Sequence, residues 1–214
     1  AQLLRQSGYA ASVTGKWQLA TLEFHPEHCR DAGFDSWCVW QIWRDGGKTT
    51  RYWNPCLNQD GKIRTDIADR FGSDVLHEYV IDQMRASIKQ GRPFYICLLY
   101  TSPSPRDEKG ELSDAGTHIP LLVKKPRTLE GGTVCEDLVD ITDWFPTVCE
   151  LTGVEIPAGV TVDGISFASR LLRGEPSCRK WVTGGFRGKM SVFDGQVRVT
   201  DGEDASKDNP AQSQ

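Results

Sequence analysis

SGYAASVTGKWQL, residues 7–19, passes from a helix end to a strand and from that strand to a lysine-bearing loop. The preceding Ala1-Gln2-Leu3-Leu4-Arg5-Gln6 reads as the closing turns of a helix, with Gly8 as the residue able to take the left-handed backbone beyond it. A helix already under way at Ala1 predicts that the chain starts within a domain, so a signal peptide cannot be judged from it. Tyr9 to Thr14 then forms a short strand, stopped by Gly15-Lys16-Trp17. Functional loops of α/β proteins gather at the carboxyl ends of strands. Lysines are ordinarily solvated surface charges, however, so the position of Lys16 alone carries little.

The alternation of strands and helices continues on both sides of this stretch and predicts an α/β fold. Phe34 to Trp53 holds four of the seven tryptophans, Trp37, Trp40, Trp43 and Trp53. Aromatics at that density are ordinarily core, although a sugar-stacking wall uses the same residues. Asn58-Gln59-Asp60-Gly61-Lys62 is a hairpin turn. Leu76, Val80, Met84 and Ile88 recur every fourth residue and predict an amphipathic helix from Phe71 to Lys89, stopped by Gly91 and feeding a strand from Pro93. Ile119 to Val123 reads as another strand. Thr142 to Leu151 reads as a helix with Thr142 as N-cap, Asp143 in the first turn and Gly153 past its end. The tail from Asp201 is polar and expected to fray.

Composition narrows the function classes. The 214 residues, 38% apolar and 25% charged, suffice for one or two globular domains with a sizeable core. The net charge of −4, with no Lys/Arg cluster interleaved with aromatics, argues against a nucleic-acid partner. No apolar stretch approaches the roughly 20 residues that span a bilayer, so no membrane partner is expected. Seven cysteines is an odd number, and none shows CxxC spacing. Cys149 in TDWFPTVCELTG occupies a place for a small apolar residue, and a core role is favoured over a disulfide framework. His25 and His28 are not read as a metal site.

Four stretches together resemble the sulfatases. Leu4-Arg5-Gln6-Ser7-Gly8-Tyr9, then Thr14-Gly15-Lys16-Trp17-Gln18-Leu19, then Ala32-Gly33-Phe34-Asp35, is similar to the pattern in which a helix ends at AGY and a strand at GKWHL. Lys109-Gly110 with Asp114-Ala115-Gly116-Thr117-His118-Ile119-Pro120-Leu121 resembles KGxxxExGxxVPLIV. Asp140-Ile141-Thr142-Asp143-Trp144-Phe145-Pro146-Thr147 resembles xxDxFPTxxELAG. Val162-Asp163-Gly164-Ile165-Ser166-Phe167, closing with Leu171-Leu172-Arg173-Gly174, resembles xDGxSLxxLLxG. The resemblance implies part of an alkaline phosphatase/sulfatase-like α/β/α sandwich with a mixed sheet. Residues 1–96 are then its middle part, 108–200 its later part and 201–214 a polar tail.

It also implies a chemistry. Sulfate-ester cleavage gathers charge on the sulfuryl oxygens and the departing alkoxide, which a hard cation in oxygen ligands and nearby lysines answer. The family's nucleophile is a hydrated formylglycine made from Cys or Ser in a CxPSR-like motif, beside a divalent cation, Ca2+ by resemblance. This chain has no such motif, no paired Asp ligands near its start and no Asp-Asn pair, so no metal ligand is assigned. By resemblance Lys16 contacts the nucleophile and sulfate, and Lys109 clamps a sulfate oxygen. Gln18 replaces the family's His after GKW, and it can hydrogen-bond but cannot carry a proton. Arg51 and Asn54, in Arg51-Tyr52-Trp53-Asn54, are candidate substrate contacts, and His118 is read as structural. The implied partner is a sulfated small molecule or glycan and the implied location periplasmic or extracellular. Two other readings are a phosphonate monoester hydrolase of the same superfamily and a non-catalytic carbohydrate-binding relative.

Residues 97–107, CLLYTSPSPRD, fit neither half. All eleven residues match the translation of one reading frame of the transposase adapter used in sequencing libraries. In sulfatases the strand from Pro93 leads to a His-containing loop and a long stretch before the Lys-Gly motif, whereas here Lys109 follows Asp107 by two residues. The expectation is a chimeric join, with 97–107 an adapter-derived artefact.

Overall fold

Ala10–Gly15, strand β1, is buried at every residue but the first, as expected of a strand covered on both faces. Helix α1, Gln2–Gln6, leads into it, and Gly8 at φ 90° makes the predicted left-handed turn. The computed structural model describes residues 1–99, 112, 118, 121–124, 129, 131–186 and 188–201. It divides into two units, Ala1–Ser102 and Pro103–Gln214.

In the first unit β1 pairs in parallel with β2, Ser36–Trp40, on one side and with the Phe94–Leu99 strand on the other. A two-residue pair, β3 (Trp43–Arg44) and β4 (Gly47–Lys48), forms a separate hairpin. β5, Leu57–Gln59, runs antiparallel to β2, and β6, Lys62–Ile63, antiparallel to β5 through the predicted turn at Asp60-Gly61. With Phe94–Leu99 as β7, the order is β6-β5-β2-β1-β7, a mixed sheet. Cys97, Leu98 and Leu99 lie in β7 opposite Val13, Thr14 and Gly15, while residues 100–111, with the rest of CLLYTSPSPRD, lie outside the described residues.

Ala11, Val13, Trp37 and Val39 fill one face of the sheet with Trp17, Leu22, Cys29 and Phe34, near the short helix α2, His28–Asp31. On the other face Cys38, Trp40 and Leu57 meet Ile67, Val75 and Tyr79. Trp37 and Trp40 are therefore core, whereas Trp43 and Trp53 are exposed. The last two of the buried set, Val75 and Tyr79, belong to α3, Gly72–Lys89, the predicted helix. Its rotation differs from expectation. Gly72 is buried in line with the Leu76-Val80-Met84-Ile88 stripe, but the other buried positions, Val75, Tyr79 and Ser87, each lie one residue before a member of it, and Ile88 is 69% exposed. The strand face below explains this. Tyr79 Oη–H donates to Ser36 Oγ at 2.8 Å, and Gln83 Oε1 accepts from Ser12 and Ser36. Leaving these buried hydroxyls unpaired costs more than leaving part of an apolar stripe in water.

In the second unit a 3-10 turn, Ile141–Asp143, opens α4, Trp144–Thr152. The N-cap is Asp140 rather than Thr142: Asp140 accepts from the Thr142 N–H and hydroxyl, and Asp143 takes the Asp140 N–H. A carboxylate two residues earlier outcompetes the hydroxyl. Cys149 is buried, as expected. Then follow α5, Ala168–Arg173, and an antiparallel sheet of β8 (Val182–Phe186), β9 (Lys189–Phe193) and β10 (Arg198–Thr200) in the order β10-β9-β8. Leu121–Val123, read as part of a strand, has no strand conformation. Leu122 is almost fully exposed, and no ladder partner is offered among the described residues.

Candidate active site

β1 ends at Gly15, φ 101°, where a Cβ would lie 2.1 Å from the Leu99 carbonyl oxygen. Only glycine allows β1 and β7 to end this close together. The same oxygen accepts the Lys16 N–H at 2.8 Å. Trp17 then turns into the core, donating Nε1–H to His28 Nδ1 at 3.3 Å and meeting the rings of His28 and Phe34 edge-on. Lys16 is thus held on both sides by backbone and aromatic anchors. His28 serves as an anchor, and no group of three His, Cys, Asp or Glu among the described residues could hold a metal ion.

Lys16 lines a cavity of about 20 Å³ at the carboxyl ends of β1 and β7, together with Trp40, Arg51, Tyr52, Ser73 and Leu99. That is room for about one water molecule or one oxygen of a larger ligand. The first turn of α3 borders it, adding the partial positive charge of a helix start. The Arg51-Tyr52 segment crosses this turn closely. A Cβ at Gly72 would lie 2.1 Å from the Arg51 carbonyl oxygen, and the Gly72 N–H donates to the Tyr52 carbonyl. The Arg51 guanidinium stands 4.6 Å from the Tyr52 ring centre and 5.5 Å from that of Trp40, and Lys48 Nζ stands 5.9 Å from Trp40. Among the described residues no carboxylate lines the cavity. The Tyr52 hydroxyl is buried without a hydrogen-bond partner among them. A wall that carries Lys16 and Arg51 and no carboxylate among its described residues is suited to an oxyanion.

Of the residues singled out in the sequence, the fold brings Lys16 and Arg51 together. Gln18 is exposed and is not part of the cavity wall. Asn54, at φ 50°, uses its side-chain carbonyl on the Asp69 N–H at 2.6 Å and donates its own N–H to Arg70, so it closes the loop ahead of α3 instead of facing the cavity. Lys109 lies outside the described residues. Tyr52 lay within the Arg51-Tyr52-Trp53-Asn54 stretch singled out in the sequence, although only Arg51 and Asn54 were named as contacts there. Ser73 and Lys48 escaped the sequence reading and arrive only through the fold. A larger open depression of about 580 Å³ beside the β5–β6 turn is lined by Asp60, Lys62, Arg64 and Asp66. There Arg64 and Asp66 neutralise each other in an ion pair at 2.5 Å.

No family model matches the chain. A stretch of 70 residues, 33% of the chain, is 39% identical to steryl-sulfatase of Mus musculus, of which it spans 11%. A stretch of 74 residues, 35% of the chain, is 34% identical to arylsulfatase J of Mus musculus, of which it spans 12%. The chain is similar to sulfatases over about a third of its length and spans about a tenth of the length of these curated relatives. Two solved structures share its fold. Ps i-CgsB matches with TM-score 0.69 at 15% identity, over 93% of this chain and 64% of that one. The Bacteroides thetaiotaomicron structure BT33336S-sulf, from a study of glycosaminoglycan metabolism, matches with TM-score 0.69 at 13% identity, over 96% and 70%. The fold is accordingly the expected α/β sulfatase fold with a mixed sheet.

Sulfatases generally use a formylglycine and a divalent cation. The residues of this chain do not fit either group. The sequence has no CxPSR-like motif, and the described residues contain no metal-binding cluster. The described lining of the cavity offers cations and hydroxyls in place of carboxylates.

Proposed function

We propose that the Lys16 cavity is the sulfuryl-binding part of a sulfuric ester hydrolase acting on a sulfated small molecule or glycan, with Lys16 and Arg51 as anion contacts. One observation carries the reading: Lys16, Arg51 and Tyr52 line a cavity with no carboxylate among its described lining residues, at the carboxyl ends of parallel strands. Cations preset around a sulfate ester favour the charge that grows on its oxygens, because they need not reorganise as it grows. Lys16 suits that task because its neighbour Trp17 is buried in the core and fixes the loop. Gln18 can donate to a departing oxygen but cannot protonate it. Lys109 is proposed, from its Lys-Gly motif, as a second sulfate clamp, and a periplasmic or extracellular location goes with the same reading.

Isothermal titration of the chain with inorganic sulfate and 4-nitrophenyl sulfate tests this. Binding is expected, abolished in Lys16→Ala and weakened in Arg51→Ala. Sulfate binding indifferent to Lys16→Ala sinks the proposal. The chain as written is expected to show no turnover of the aryl ester, with or without calcium, because it holds neither the nucleophile motif nor the ligand sets. We also propose that residues 97–107 are translated adapter. Amplification across them from source DNA should give a longer product encoding a His-containing loop and an Asp-Asn pair, and a product of the present length still encoding CLLYTSPSPRD would overturn it.

A further inference from the structure

Two cations lie over the ring of Trp40. Arg51 Cζ lies 5.5 Å and Lys48 Nζ 5.9 Å from its centre, while its Nε1–H donates to Thr49 Oγ1 at 2.9 Å and fixes its plane. Lys48 is not a loosely placed surface lysine. It sits on β4 opposite Trp43, and that hairpin is tied back by Gln41 Nε2 donating to the Trp43 carbonyl at 2.8 Å and by the Thr49 N–H donating to Ile42 at 2.9 Å. The acids nearby are engaged otherwise: the Asp45 carboxylate pairs with Arg44 at 3.3 Å, and Glu23 accepts the Asp45 N–H. Among the described residues no carboxylate forms an ion pair with Lys48 or Lys16.

Lys48 is exposed, and an ammonium to which no described carboxylate is paired attracts an anion. Resting on the reading of the cavity given above, we infer that the site selects sulfated substrates bearing a second anionic group, a sulfate or carboxylate, which Lys48 receives while the first group reaches Lys16. Trp40 links the two, since it lines the cavity with Lys16 and Lys48 lies over its ring. Lys48 is a compact charge with three donors, and it is exposed, so the second anion stays partly in water and its contribution falls with salt.

Titration of the full chain with glucose 6-sulfate and with glucose 3,6-disulfate at low ionic strength tests the inference. The disulfate is expected to bind about tenfold tighter, the size of one charge-assisted contact. Lys48→Gln should bring the ratio of the two affinities to about one, Lys48→Arg should keep it, and added salt should narrow it. Equal affinities in the unsubstituted chain, or a preference that survives Lys48→Gln, overturns the second-anion site and leaves the Lys16 cavity standing. If neither sugar binds, or if Lys16→Ala leaves both affinities unchanged, the cavity reading fails and this inference falls with it.

Discussion

Beneath α3 the buried polar groups are neutral: Ser12, Ser36, Tyr79 and Gln83 share hydrogen bonds between helix and sheet. Between the 3-10 turn and β8 they form a full ion pair. Asp143, 1% exposed, takes the guanidinium of Arg179 at both oxygens and also accepts the N–H groups of Asp140 and Ile165. The surroundings differ in step. The neutral network lies between two apolar clusters built on Trp37, Trp40, Leu57 and Val75, whereas the buried apolar residues described in the second unit are Cys149, Phe167 and Ala168. Where apolar burial supplies the driving force, buried polar groups need only be satisfied. Where it is scarce, one ion pair with a complete set of hydrogen bonds holds the local structure, and removing either partner strands a charge.

The largest expected effect follows from that last point. Asp143→Ala should cost the second unit about 3–5 kcal/mol, because it leaves Arg179 buried without its counter-ion. Hydrogen exchange should show α4 and β8 losing protection while β1 and β2 keep theirs. Equal loss in β1 would abolish the contrast between the regions. Acid probes the same pair. Burial raises the Asp143 carboxyl, but hydrogen bonds from Arg179, Ile165 and Asp140 outweigh it and hold the group below the ordinary aspartate range. Its stabilising contribution is therefore complete above about pH 4 and is lost as pH falls through the depressed folded value. Asp60, at the β5–β6 turn, goes the other way, since burial raises its carboxyl and the folded state binds its proton first. Acid unfolding followed by exchange should open α4 before β5, and the reverse order would refute the assignment.

A smaller effect sharpens the comparison from the sheet side. Gly15→Ala places a methyl against the Leu99 carbonyl at a left-handed backbone position, for about 2 kcal/mol of strain. It should lower the melting temperature and displace Lys16, weakening sulfate binding as well. A variant as stable and as tight as the parent would show that β1 and β7 do not meet there. Tyr79→Phe removes one neutral donor from the α3 network and should cost only about 1 kcal/mol. A loss as large as that of Asp143→Ala would erase the distinction between neutral and ionic burial. The mildest test leaves stability untouched. Burial pushes the thiols of Cys29 and Cys38 up to about 12, so they should resist alkylation at pH 8, while exposed Cys135 and Cys178 react, as peptide mass mapping can read.

The extent of α3 was legible because Phe71 opens it and Gly91 stops it, and both are local features. Its rotation was not, because the four-residue apolar spacing competes with a polar demand from Ser12 and Ser36, roughly fifty residues or more before Gln83. Lys16 was legible through GKW and its place after a strand. Arg51 and Asn54, three residues apart in one segment, looked alike, yet one reaches the cavity and the other closes a turn onto Asp69.

Taken alone, the sequence determined the succession of helix end, buried strand and lysine loop in residues 7–19, since a left-handed glycine, a run of small and β-branched residues and a stop act within a few bonds of one another. Only the tertiary structure decided that Lys48 and Arg51 share the ring of Trp40, that the Tyr52 hydroxyl is left without a described partner, and that Asp143 finds Arg179 36 residues away. Those pairings depend on which strand ends and helix faces come to lie side by side, and packing and hydrogen-bond satisfaction settle that across the whole sheet, where no local pattern records it.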